Sequence, residues 1–225
     1  MTAPTIAFDL DGTLVDTAPD LVRTLNIILE RHHMAPVAYG AAAQMVGGGA
    51  RAMLDAAFVG AGKAPTDEQL DGLLDEFITY YTANIAAHSR PFDGVEAALD
   101  RFAAAGWTLA VCTNKLEGLS RQLLDALDMS RRFAAIVGPD TFGYRKPDPR
   151  HLTETIRVAG GVPDRAVMVG DSEFDIGVAK AAGIPVVAVN FGYTPVPVEE
   201  LDPDRIIGHY DALWDAVASL DIAAP

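Results

Sequence analysis

The sequence predicts an α/β fold: a Rossmann-like parallel sheet core with helices on both faces, plus a small all-helical cap domain inserted after the first strand. Three observations predict it. Short runs rich in Val, Ile and Ala alternate with amphipathic helical stretches over most of the chain, and that alternation makes a parallel sheet covered on both sides. Residues 16–88 break the alternation and contain no convincing strand. Each apolar run ends in a polar or glycine-bearing turn, and in such sheets the ligand sits at the carboxyl ends of the strands.

The expected strands are Thr5–Phe8, Thr108–Cys112, Ala135–Val137, Ala166–Val169 and Pro185–Val189. Val95–Ala105 reads as a helix, with Val95, Leu99 and Phe102 on one face and Gly106 as its stop. Leu119–Leu127, His151–Ala159 and Phe174–Ala182 read the same way. In the insert, Ala18–His33 places Leu21, Leu25, Ile28 and Leu29 on one face. A short second helix leads to "VGGGAR"; Arg51–Val59 and Asp67–Ala87 give two more, and "HSRPFDGV" is the return linker. The expected division is 1–15 and 89–225 for the core and 16–88 for the cap, a lid above the strand ends.

Charge narrows the function. The chain has 31 acidic and 17 basic residues, a formal net charge of −14. Sequence-independent nucleic-acid binding and docking on an anionic membrane both need the opposite sign. An anionic substrate would need a local cation to offset the average field. Cys112 is the single cysteine, so no disulfide forms within the chain, and a buried apolar role suits it. The N-terminus lacks a basic segment followed by an apolar run, and no stretch approaches the roughly 18 apolar residues of a membrane span. The expectation is a cytoplasmic protein, monomer or homodimer, acting on a small molecule.

Four motifs stand where polar groups of a parallel sheet matter. "FDLDGT" puts Asp9 and Asp11 after the first strand, with Gly12 allowing a sharp turn and Thr13 free to bond within it. "AVCTNK" ends a strand with Thr113 and Asn114, which hydrogen-bond an anion without adding charge. "YRKPDP" sets Lys146 before a proline-fixed turn. "VGDSEFD" supplies Asp171 and, four residues on at a helix start, Asp175, a pair able to hold a cation directly or through water. Taken singly, these read equally as an Asx turn, a helix N-cap, a surface lysine and solvated acids. Four together, at consecutive strand ends, do not.

These motifs resemble those of the haloacid dehalogenase superfamily of phosphotransferases, in order and spacing over nearly the whole chain. The helical insert resembles the small cap of one subgroup. Within it, "FDLDGTLVDTAPDL", "VGGGAR", "PFDGV", "TNK" and "YRKPDP" look most like phosphoglycolate phosphatases. One departure is Glu173–Phe174 after "GDS", where relatives often carry Arg and Asn. The resemblance implies a Mg²⁺-dependent phosphatase for a small organic phosphomonoester, most like 2-phosphoglycolate. Asp9 would be the nucleophile and Asp11 the acid and base. Asp9, the Asp11 carbonyl, Asp171 and Asp175 would hold the metal, and Thr113, Asn114 and Lys146 the phosphoryl oxygens. In the cap, Gly48, Gly49 and Arg51 are the candidates to read a substrate carboxylate; a flexible turn with a solvated arginine explains them equally well. Lys115 and Arg145 are further cations near the site by sequence.

The alternatives are a sugar-phosphate phosphatase or a phosphomutase of the same superfamily, and a non-catalytic phosphate-binding module. A dehalogenase lacks the carboxylate at the Asp11 position. A phosphonate-cleaving relative needs a Schiff-base lysine in the cap, where only Lys63 stands, in a loop-like stretch. His32, His33, His88, His151 and His209 show no metal-ligand spacing. Asp16 and Asp20 receive no catalytic role; they suit the first turn of the cap's long helix, where acids complement the helix dipole.

Overall fold

Thr5–Phe8 (β1) is wholly buried and pairs in parallel on both sides, with Thr108–Cys112 (β4) and Ala166–Gly170 (β6). It is therefore a central strand, which is why its sequence is continuously apolar rather than alternating. The structure is a computed structural model that describes residues 2–220 and 222. Ala135–Val137 (β5) lies outside β4; Val186–Val189 (β7) and Arg205–Ile207 (β8) extend the other side, giving the order β5-β4-β1-β6-β7-β8. All of these pairings are parallel.

The period of two sorts side chains to the two faces. Ile6, Phe8, Val111 and Val169 face one core cluster with Val95, Leu99 and Phe102 of Val95–Ala104 (α5) and Leu213 and Val217 of Leu213–Ala218 (α10). Ala7, Cys112 and Met168 face the other. There they meet Leu152 and Ile156 of Pro149–Val158 (α8) and Ile176 and Ala179 of Glu173–Ala182 (α9). Glu117–Ala126 (α6) and the short Pro139–Phe142 (α7) complete the core. Cys112 is fully buried, and burial pushes its thiol up to about 12, so it behaves as a small apolar group.

Four helices occupy the insert: Ala18–Arg31 (α1), Tyr39–Ala43 (α2), Ala50–Gly60 (α3) and Asp67–Ala83 (α4). Thr66 and Gln69 form a reciprocal capping box at the start of α4. This helix ends earlier than its sequence pattern suggests. The Asn84 side chain donates to the Tyr80 carbonyl at 2.9 Å, competing with helix continuation as short amides do. The two crossings between insert and sheet pair as a two-residue ribbon, Val15–Asp16 (β2) antiparallel to Arg90–Pro91 (β3). Neither ribbon strand is expected from the sequence, because two residues carry no periodicity. The edge strand β8 is missed for a related reason: two of its three residues are exposed. Among the described residues, no helix is long and apolar enough to cross a membrane.

Asp20 does more than suit a helix dipole. It is buried, and its carboxylate accepts from His88 N at 2.9 Å, Ser89 N at 2.8 Å and Ser89 Oγ at 2.7 Å. It thus pins the first turn of α1 to the return linker. Asp20→Ala leaves these donors unpaired, each costing about 1–3 kcal/mol. The expected loss is about 3 kcal/mol, a fall in Tm of roughly 6–12 °C for a chain of this size. Thermal unfolding checks it; a shift of only about 1 °C would show that water replaces the carboxylate without cost.

Candidate active site

Asp9 leaves β1 with its N–H bonded to the Val169 carbonyl of β6 at 2.9 Å, which fixes it between two strand ends. The chain then turns back on itself, with Leu14 and Val15 both donating to the Leu10 carbonyl. Gly12 has a φ of +84°, and a Cβ there would stand 2.6 Å from Asp171 Oδ2. Glycine is required for both the conformation and the approach. Thr13 donates its hydroxyl to Asp171 Oδ1 at 2.9 Å, joining two motifs 158 residues apart.

One carboxylate oxygen from each of Asp9, Asp171 and Asp175 lies within 4.8 Å of the others, and all three residues are buried. Burial is the main force on this trio. It pushes Asp9 up to about 7 against the pull of Lys146, with Asp175 and Asp11 adding repulsion. It pushes Asp171 up to about 8, helped by Asp175 and Asp9. Lys146 is the counter-charge, 1% exposed, with Nζ 2.6 Å from Asp175 Oδ1 and 2.8 Å from Asp9 Oδ1. Burial alone would lower its ammonium; Asp175 and Asp9 together raise it above the ordinary lysine value. The same ammonium is the charged partner of Asp9 Oδ1, so one cation is shared between two buried carboxylates. Asp175 is heavily engaged: its Oδ2 accepts from Asp171 N, Ser172 N and Ser172 Oγ.

Two supporting residues are absent from the sequence reading. Tyr193 N donates to Asp171 Oδ2 at 2.8 Å, and a Cβ on Gly192 would sit 2.2 Å from the Asp171 Cβ. The Tyr193 hydroxyl reaches the cap entrance, where it donates to Asp16 and accepts from Ala18 N. The available signal was "NFGY" directly after an apolar strand, the placement shared by most of the other motifs.

Thr113 is buried at the end of β4. Its hydroxyl accepts from Lys115 N at 3.2 Å, and among the described residues no acceptor takes its own proton. Its carbonyl receives the ring N–H of His151 at 3.0 Å; burial lowers that ring to about 4, so it is neutral near pH 7. The Asn114 carboxamide is committed to main chain. Its Oδ1 accepts from Lys146 N at 2.9 Å, and Nδ2 faces the Lys146 carbonyl at 3.4 Å and the Gly47 carbonyl at 3.3 Å. Lys146 itself lies not at a strand end but in the loop between α7 and α8, and Asn114 holds that loop to β4.

Asp11 does not join the acidic trio. Its carboxylate is held by Lys115 Nζ at 2.9 and 3.1 Å, with side chains 5% and 12% exposed for Lys115 and Asp11. Both border a cavity of about 210 Å³ between the cap and the strand ends. Gly48, Gly49 and Arg51 line the same cavity from the cap. The Gly49 N–H is spent on the Val46 carbonyl, and the Gly48 carbonyl accepts from Arg145 at 2.7 Å. Arg51 pairs within the cap, with Asp71 and with Asp67 at 3.2 Å.

The model of the haloacid dehalogenase-like hydrolase family matches residues 6–189 of this chain. The chain belongs to that family. It is 53% identical over 224 residues to the phosphoglycolate phosphatase of Mesorhizobium japonicum, covering 100% of this chain and 99% of the relative. Identity to the Caulobacter vibrioides phosphoglycolate phosphatase is 50%, covering 98% and 93%. A solved structure of a predicted phosphoglycolate phosphatase from Haemophilus somnus superposes with a TM-score of 0.88 at 29% identity, covering 96% and 99%. This member of the haloacid dehalogenase-like hydrolases is an enzyme, a phosphoric monoester hydrolase of the phosphoglycolate phosphatase-like kind.

Proposed function

We propose that the chain is a Mg²⁺-dependent phosphatase for a small organic phosphomonoester, 2-phosphoglycolate in the first place, releasing glycolate and phosphate through an aspartyl phosphate on Asp9. The observation that carries the reading is the buried trio of Asp9, Asp171 and Asp175, with carboxylate oxygens within 4.8 Å of one another. Burying carboxylates side by side is costly, and the single ammonium of Lys146, shared by Asp9 and Asp175, does not neutralise three of them. Three such oxygens fit a hard divalent cation that takes oxygen ligands. Asp9 and Asp171 would hold it, with Asp175 and the Asp11 carbonyl; once bound, Mg²⁺ offsets the repulsion between Asp9 and an anionic phosphate.

The chain's own groups then divide the work. Asp9 attacks phosphorus, and the ester P–O bond breaks as the new one forms. Asp11 protonates the leaving oxygen and takes a proton from the water that hydrolyses the intermediate. Lys146 and the unspent Thr113 hydroxyl proton hold phosphoryl oxygens, whose placement governs such transfers. Asn114 reaches the phosphoryl group only by giving up one of its main-chain contacts. Residues 16–88 act as the cap that excludes bulk water, with 1–15 and 89–225 as the core. A soluble, cytoplasmic setting is consistent with the single unpaired cysteine.

Initial-rate measurements on a panel of phosphate esters test the reading. The highest kcat/KM is expected for 2-phosphoglycolate. A sugar phosphate turned over at least tenfold better would move the assignment to a sugar-phosphate phosphatase. Conversion of glucose 1-phosphate without phosphate release would make it a phosphomutase.

A further inference from the structure

The proposed substrate has a carboxylate next to its leaving oxygen, and the cavity above Asp11 must supply a partner for it. Three cations border that cavity: Arg51, Arg145 and Lys115. Arg51 is neutralised within the cap by Asp71 and Asp67. Arg145 is exposed and donates to the Gly48 carbonyl. Lys115 is different. It is buried, and its one charged partner among the described residues is Asp11, the group that would face the leaving oxygen. A buried ammonium is worth much more to an incoming anion than an exposed one, because less solvent screens it.

A second observation comes from the cap. Tyr81 of α4 places its ring over Lys115 Nζ, 4.5 Å from the ring centre. Tyr81 is fully buried and borders the same cavity; its hydroxyl lies within reach of Lys115, and no acceptor among the described residues takes its proton. A buried donor left without an acceptor is costly, and an incoming carboxylate supplies one. Core and cap therefore bring together an ammonium and a spare donor beside Asp11. The rest of the wall is largely apolar, including Leu21, Met53, Phe77 and Leu119.

We propose that Lys115 and Tyr81 form the subsite that takes the substrate's carboxylate. They are specificity-determining residues for the reaction proposed above, and the assignment rests on that reading. The carboxylate shares or displaces Asp11 at the Lys115 ammonium and accepts the Tyr81 hydroxyl. Because Lys115 belongs to the core and Tyr81 to the cap, one bound carboxylate holds the two together over the reacting phosphate. No covalent step is involved; the exchange is of ion-pair and hydrogen-bond partners only.

The test compares 2-phosphoglycolate with 2-hydroxyethyl phosphate, which has the same chain length and no carboxylate. In Lys115→Met the ratio of kcat/KM values between them is expected to fall at least tenfold. Tyr81→Phe keeps the ring on Lys115 and removes only the hydroxyl; the ratio is expected to fall three- to tenfold. It also serves should Lys115→Met not fold. Equal losses on both substrates would make the two residues structural supports and overturn the subsite. So would a ratio kept in Lys115→Met but lost in Arg51→Ala, which returns the role to Arg51. If the wild-type enzyme itself shows no preference, the substrate reading fails and this inference with it. A wild-type preference that both variants keep removes the inference alone.

Discussion

Asp9→Asn is expected to abolish phosphate release, lowering kcat by roughly 10⁴-fold or more, as loss of a nucleophile does. An amide keeps the size of the side chain but not its ability to attack phosphorus. The same substitution should leave the fold intact. Asp9 is buried and its carboxyl is pushed up to about 7, so its charge is a burden on the metal-free protein at neutral pH. Lys146 keeps Asp175 as its partner at 2.6 Å. Tm without metal should therefore stay level or rise while activity disappears. Release of phosphate from p-nitrophenyl phosphate and a thermal melt check both halves. Activity within tenfold of wild type would remove Asp9 from the nucleophile role, and a collapsed Tm would make the loss of activity uninformative about chemistry.

Removing the metal is the second large effect. EDTA is expected to stop turnover and Mg²⁺ to restore it, and the stability of the fold should report the same event with a definite pH dependence. Burial and mutual repulsion raise Asp9 to about 7 and Asp171 to about 8 from an ordinary 3.8. Between pH 4 and 8 the folded metal-free protein therefore holds protons that the unfolded chain has lost. Its stability falls as pH rises through that window. Mg²⁺ competes with those protons, so its stabilisation grows in the same direction. At a hundred times its dissociation constant the ion adds about 2.7 kcal/mol, a gain in Tm of roughly 5–10 °C at pH 8 and much less at pH 5. Equal melts with and without Mg²⁺ at pH 8, or full turnover in EDTA, would overturn the metal site.

Most of the candidate site residues were legible in the sequence because they stand just past an apolar run or at a helix start; Lys146, in the loop between α7 and α8, is the exception. Asp9 and Asp171 follow β1 and β6 directly, and Thr113 follows β4. What the sequence hid were the groups that hold them. Tyr193 reaches Asp171 through its backbone N–H, so no side-chain type advertised it. Asn114 looked like an anion ligand because carboxamides often are, yet its bonds go to the Lys146 backbone 32 residues away. Arg51 looked like the carboxylate reader because it follows three glycines, and only folding brings Asp67 and Asp71 of α4 onto it.

By itself the sequence determined the parallel sheet, the helical insert and which carboxylates stand at the strand ends. Apolar periodicity and strand-end polarity are local properties, written within a few residues. The four aspartates of "IAFDLDGTLVDTAPD" show where that stops. Only the tertiary structure sends Asp9 to the buried trio, Asp11 to Lys115, Asp16 to Tyr193 and Asp20 to the return linker. Those partners lie between 68 and 177 residues away. A carboxylate's role is set by which charge or donor it meets once water is excluded, and the chain decides that meeting only by folding.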